Sequence, residues 1–162
     1  MATLTIRGAL TDATIEAGVA GFGLVIEASV DAKYSVRTNT GGAGLVYLQP
    51  IDDTGTGGDD SPYESYTNTG TALPVSATTG AGGAFEVQIN MQSAERQARS
   101  IEDFFDQEGY SYTGGIDVYQ VTVTARRPSG AIVAAATVRK FPQTAGFPTF
   151  DVNTLRIPRR RG

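Results

Sequence analysis

The chain has 162 residues and a formal net charge of −4, with 40% hydrophobic and 19% charged residues, which fits one lightly charged folded domain and argues against general nucleic-acid binding. It contains neither cysteine nor histidine, which excludes disulfides, thiolate metal sites and a histidine general base together. Tryptophan is also absent, and twenty glycines point to turns and strands rather than helices.

Residues 3–10 alternate, with Leu4 and Ile6 facing inward between Thr3, Thr5 and Arg7. No basic segment followed by an apolar run opens the chain, so no secretion signal is read there. No apolar stretch approaches the roughly 20 residues of a membrane span, and no membrane partner is expected. Residues 20–30 form the next predicted strand. Phe22, Leu24, Ile26 and Ala28 share one face and Val25 and Glu27 the other, the pattern of an interior strand. A third run covers 34–38, and a fourth covers 44–49 with Val46 and Leu48 on one face. Residues 51–71 lack periodicity and are rich in turn formers, which predicts a long loop.

A strand over 73–78 leads into the clearest local pattern, residues 77–89. There Gly80, Gly82 and Gly83 precede the alternation of Phe85, Val87 and Ile89 with Glu86, Gln88 and Asn90. A β-hairpin with one wet and one dry face is predicted. The period then changes. Ser93 is the predicted cap of a helix near 93–106, with Ala94, Ala98, Ile101 and Phe105 on its buried stripe and Gly109 as its stop. Glu95 suits the first turn, whereas Glu102, Asp103 and Asp106 sit at the unfavourable end of such a helix dipole. Tyr119, Val121, Val123 and Ala125 then alternate with polar residues, and a turn at Arg127, Pro128, Ser129 and Gly130 returns the chain through Ile132, Ala134, Ala136 and Val138. Regular structure is expected to end near Phe141. Residues 142–162, punctuated by Pro142, Pro148 and Pro158, read as an extended C-terminal arm on a domain of residues 1–141.

Ile6-Arg7-Gly8-Ala9-Leu10-Thr11-Asp12 fits an I-x-G-x-L-x-D strand. Val19-Ala20-Gly21-Phe22 with Leu24, Val25 and Ile26 fits a P-x-A-G-x-x-V-x-V strand without its proline, and the run from Thr78 to Phe85 fits a T-T-D-x-x-G-x-F turn with glycine for the acid. In these three stretches the chain resembles the transthyretin-like, or carboxypeptidase-regulatory-like, β-sandwich family, whose domains also occur in some bacteriophage virion proteins. The motifs cover about half of the chain. The resemblance implies a mostly β fold: an antiparallel sandwich of seven to eight strands, prealbumin- or immunoglobulin-like, with one short helix and the arm. It implies no activity, because such sandwiches serve many functions.

The candidate chemistry is sparse. Asp52, Asp53, Asp59 and Asp60 flank a glycine-rich run, but their spacing fits no calcium motif, and a solvated acidic loop is the expectation. Glu27, Glu86 and Asp117 are the carboxylates available for acid–base work, though nothing in the sequence brings them together. Ser35, Ser76, Ser93 and Ser129 lack a nucleophile motif. No cofactor, metal or catalytic residue is predicted, and the reading is of a protein that is not an enzyme.

Two tyrosine pairs, Tyr63 with Tyr66 and Tyr110 with Tyr112, offer a possible contact surface. In the arm, Phe147, Phe150, Val152, Leu155 and Ile157 are apolar anchors, and Arg159, Arg160 and Arg161 a basic end, for docking on a neighbour. The expectation is a structural protein of an assembled particle, most specifically a virion component of a tailed bacteriophage: a capsid decoration protein or a minor head or tail part. Its partners would be other copies of itself or other virion proteins, without direct nucleic-acid contact, and its location the virion after synthesis in the host cytoplasm. The rival expectation is an extracellular or virion-borne module binding carbohydrate or a cell surface.

Overall fold

A computed structural model describes residues 3–37 and 63–159. The predicted strand over 44–49, the four aspartates of the acidic loop, and Arg160 and Arg161 lie outside these residues. Two sheets stack into a sandwich. The first is built on β1 (Thr3–Asp12), which pairs antiparallel with β2 (Ala17–Gly18) and β6 (Ala84–Asn90) along one edge, and in parallel with β9 (Thr149–Ile157) along the other. The second centres on β3 (Gly23–Arg37) and β7 (Ser111–Arg126), paired antiparallel. Strands β4 (Tyr63–Thr71) and β5 (Val75–Thr78) share the free edge of β3, and β8 (Ile132–Lys140) flanks β7. The fold is a mostly β sandwich, with nine strands among the described residues.

Alternation explains how β3 organises the core. Leu24, Ile26, Ala28, Val30, Ala32, Tyr34 and Val36 are all buried on one face. The predicted runs 20–30 and 34–38 are thus one 15-residue strand. The first half of this face, with Val121, Val123 and Ala125 beside it, meets the first sheet. The second half is covered by α1 (Gln92–Ala98) and α2 (Ile101–Glu108). Ala94, Ala98 and Phe105 are buried, as the stripe predicts, and Gly109 ends α2 at a φ of 77°. Ser93 does not cap: the Asn90 carboxamide oxygen accepts the Gln92 amide at 2.8 Å, and Ser93 lies exposed inside the first turn. Because the helix divides at Arg99 and Ser100, Glu102 and Asp103 fall in the first turn of α2, the favourable end of its dipole.

Several expectations are corrected. The predicted hairpin over 77–89 is a crossing between sheets, since β5 pairs with β3 and β6 with β1. Thr79 anchors the crossing: it is buried, its amide donates to the Phe22 carbonyl at 3.0 Å, and its hydroxyl oxygen accepts the Phe22 amide at 2.9 Å. The expected hairpin β7–β8 forms, and in its turn Gly130 takes a φ of 92° and its amide donates to the Arg127 carbonyl at 2.7 Å. The loop expected over 51–71 becomes strand β4 from Tyr63 onward. Ile132, expected in the core, is 54% exposed, because a bulge between it and Ala134 turns it to the outer face, opposite Arg126.

The largest correction concerns the arm. Residues 149–157 are not free but form β9, hydrogen-bonded to their own β1, and Phe150, Val152, Leu155 and Ile157 are buried in their own core. No domain boundary falls at 141/142. The two prolines bracket the strand instead of breaking it, Pro148 before its first residue and Pro158 after its last. One extra residue in β9 bulges opposite Gly8, with Asn153 at a φ of 61°. A Cβ on Gly8 would stand 2.7 Å from the Asn153 carbonyl oxygen, so the bulge needs glycine there. The pairing of β1 with β9 is parallel, a departure from an all-antiparallel sandwich.

Candidate functional site

Where the helices leave the sheet edge, a cleft of about 670 Å³ opens between them and β7, lined by Gln92, Glu95, Arg96, Arg99, Ser100, Asp103, Asp117 and Tyr119. That size lies within the range of small-ligand sites. Alternation along β7 turns Tyr119 inward, and Asp117 shares its face where the sheet passes under α2. One helical turn brings Glu95 and Arg99 to the same side of the helix.

The floor of the cleft is a linked ion network. The Arg99 guanidinium donates to Asp117 at 2.8 Å and to Glu102 at 2.9 Å. The Tyr34 hydroxyl donates to Glu102 at 3.1 Å, and the Tyr119 hydroxyl donates to Glu95. Arg99 is held more firmly protonated than usual, chiefly by its hydrogen bond to Asp117, against the opposing effect of burial. Burial pushes the Tyr34 hydroxyl above its ordinary value, and the charge and hydrogen bond of Glu102 add to this. Burial does the same for Tyr119, helped by its hydrogen bond to Glu95. Both phenols are therefore neutral donors over the whole physiological range. Arg96 forms no ion pair among the described residues and is exposed on the cleft rim.

A pH dependence follows. A tyrosine whose folded pKa exceeds its unfolded value holds its proton more tightly in the folded state, so stability is full below the ordinary value near 10 and falls as pH rises beyond it. The thermal midpoint followed by circular dichroism is expected to fall above about pH 10. The fall should be shallower in Tyr34→Phe and Tyr119→Phe, once each variant is compared with its own value at neutral pH. An unchanged slope in both would remove these hydroxyls from the explanation.

The sequence-predicted residues fall elsewhere. Tyr66, Tyr110 and Tyr112 surround Phe105, their ring centroids 6.0, 5.8 and 4.9 Å from its own. Tyr110 is buried, and Tyr66 and Tyr112 are half-buried. The helices need an apolar seat on the sheet, and these rings supply it. Tyr63 opens β4, its backbone opposite Arg37. In the former arm, half-buried Phe147 packs between Tyr119 and Phe150, with centroids at 5.0 and 6.1 Å. Arg159 meets Glu16 at 3.3 Å on the surface, both well exposed, an ion pair of little energetic weight.

The three carboxylates considered for acid–base work are separated. Glu86 is exposed on the first sheet, Glu27 lies on the outer face of the second, and Asp117 faces inward beneath Arg99. Among the described residues no three carboxylates gather where an ion could sit. The cleft itself was missed by sequence reasoning. Its signal was the spacing of Glu95, Arg99 and Glu102 along the helix, together with the inward register of Tyr34.

Comparison with known proteins adds little. No protein-family model matches the chain, and no curated protein matches it. Among solved structures, a 9R-lipoxygenase from Cyanothece PCC8801 aligns over 97% of this chain and 17% of its own, at 12% identity and a TM-score of 0.34. A likeness of that size carries no argument about fold or function.

Proposed function

We propose that the protein is a non-enzymatic structural part of an assembled particle, in its most specific form a virion component of a tailed bacteriophage such as a capsid decoration or minor head or tail protein. In this reading sheet surfaces, not a free arm, meet the neighbours. The supporting observation is the outer face of the five-stranded sheet. Short side chains lie at its centre, with Thr122 beside Thr137, hydroxyls 3.0 Å apart, buried Thr124 beside exposed Ala135, and Ser29 beside Gln120, while Glu27 and Lys33 stand exposed on the same face. Asp31 is held by Thr69 at 2.7 Å and Arg139 at 3.5 Å. Two isoleucines bracket the face, Ile116 at 57% and Ile132 at 54% exposure. They stand about 30 Å apart along the strand direction, at roughly 3.3 Å per residue. The threonine, serine and alanine positions of this face lose little side-chain entropy when covered, which favours docking.

A second reading, a module that binds carbohydrate or a cell surface, is favoured by the polar cleft, where carboxylates, Arg96 and the Tyr119 ring converge. One comparison separates them. The double variant Ile116→Asp, Ile132→Asp changes two exposed positions and should keep its melting temperature. If the assembly reading is right, it should fail to co-sediment with the particle that carries the wild-type protein. A variant that still co-sediments, or a wild-type chain found only as a free monomer that binds a glycan array through the cleft, contradicts the assembly reading.

A further inference from the structure

Sheet edges are where a β-protein invites or refuses partners, and those of this sandwich are treated unequally. Helix α1 covers the inner face of β4, where the Asn68 carboxamide donates to the Gln97 and Ala98 carbonyls at 3.1 and 2.7 Å, and it reaches the β4 edge, where the Thr71 amide donates to the Gln97 side chain at 2.9 Å. Strand β5 has four residues and follows Pro74. Strand β8 carries Arg139, Lys140 and a bulge. Strand β6, AFEVQIN, has no lysine, proline or bulge over its seven residues, and among the described residues it pairs with β1 alone.

We infer that two copies of this chain join along β6, antiparallel, about a two-fold axis at Val87. The inference deepens the assembly reading and rests on it. The Ala84 carbonyl accepts the Gly80 amide from outside the ladder at 2.7 Å. Alternation then turns the backbone groups of Phe85, Val87 and Ile89 toward β1, and those of Glu86 and Gln88 outward. A two-fold axis at Val87, the midpoint of the strand, places Glu86 opposite Gln88 of the second copy, and Gln88 opposite its Glu86. These are the residues with outward-facing amides and carbonyls, so four hydrogen bonds form. The same register sets Phe85 against Ile89 and Val87 against Val87 on the dry face, and no like charges meet. An axis at Glu86 would oppose two carboxylates directly. Beside this edge opens a groove lined by Leu73, Val75 and Ile89, and Leu73 is 86% exposed, apolar area that the pairing can cover.

The absence of cysteine makes the test direct. Facing Cα atoms in a non-hydrogen-bonded antiparallel pair lie about 4.5 Å apart, within disulfide reach. Val87→Cys is expected to form a reducible dimer under mild oxidation, and Ser129→Cys, in the β7–β8 turn, is not. Gln88 is exposed, so its variants should fold normally. Gln88→Glu sets carboxylates opposite each other twice and should raise the dimer dissociation constant about tenfold, whereas Gln88→Lys should lower it. Sedimentation equilibrium reads both. Indifference to both Gln88 changes, or no cross-link at residue 87, overturns the pairing. A chain that stays monomeric at high micromolar concentration yet joins a particle rejects the β6 dimer and keeps the assembly reading. A chain that dimerises through Val87 and joins no particle keeps the dimer and rejects the particle.

Discussion

Removal of residues 142–162 is expected to unfold the domain. Strand β9 supplies Phe150, Val152, Leu155 and Ile157 to the core, each at most 5% exposed. At about 1.5–3 kcal/mol for each buried side chain of this kind, their loss is worth roughly 6–12 kcal/mol. That matches the entire stability of an ordinary domain, about 5–15 kcal/mol. The deletion also strips β1 of its parallel partner from Thr5 to Asp12 and uncovers Ile6 and Leu10, both fully buried in the intact chain. Circular dichroism of the truncated chain should show no cooperative melting transition. A truncated chain that melts near the temperature of the full protein would return these residues to the role of a free arm.

Gly70→Ala is expected to be strongly destabilising. A Cβ at this position would stand 1.8 Å from the carbonyl oxygen of Ala94 and 2.9 Å from the amide nitrogen of Ala98, both backbone atoms of α1. No rotamer relieves a clash with backbone, so α1 must move. Its movement would strain the bonds from Asn68 to Gln97 and Ala98 and the bond from Thr71 to Gln97. The destabilisation is expected at about 3 kcal/mol or more, the upper part of the range for overpacking. Gly23→Ala is the control, because its Cβ would find nothing nearer than 3.5 Å. Urea titration of the two variants compares them. Equal midpoints would mean that α1 does not press on β4 as described.

These two sites also show why the sequence was only partly legible. The strands whose inner faces meet other side chains announced themselves: β1, β3, β6 and β7 alternate cleanly, and the sandwich followed from them. Strand β4 did not. Its inner face presents Tyr66, Asn68 and Gly70, because what it meets is a helix backbone that requires a donor and close approach rather than apolar bulk. Strand β9 hid for a different reason. Its bulge at Asn153 shifts the inward set from Phe150 and Val152 to Leu155 and Ile157, breaking the period of two in the middle of the strand. With the period broken, the flanking prolines dominated the reading. The glycine-rich turn after Thr79 was legible as a reversal but not as a crossing, since local residues carry no record of which sheet the next strand joins. The cleft depends on two distant elements, the helices and β7, meeting around Arg99, and only tertiary packing brings Asp117 there.

Amide hydrogen exchange on the isolated monomer tests the placement of the C-terminal segment most directly. If residues 149–157 are a strand of their own sheet, their amides facing β1 should exchange only through global unfolding, at rates matching those of the paired β1 amides. Exchange of residues 149–157 at the rate of an unstructured peptide, while β1 stays protected by β6, would contradict it.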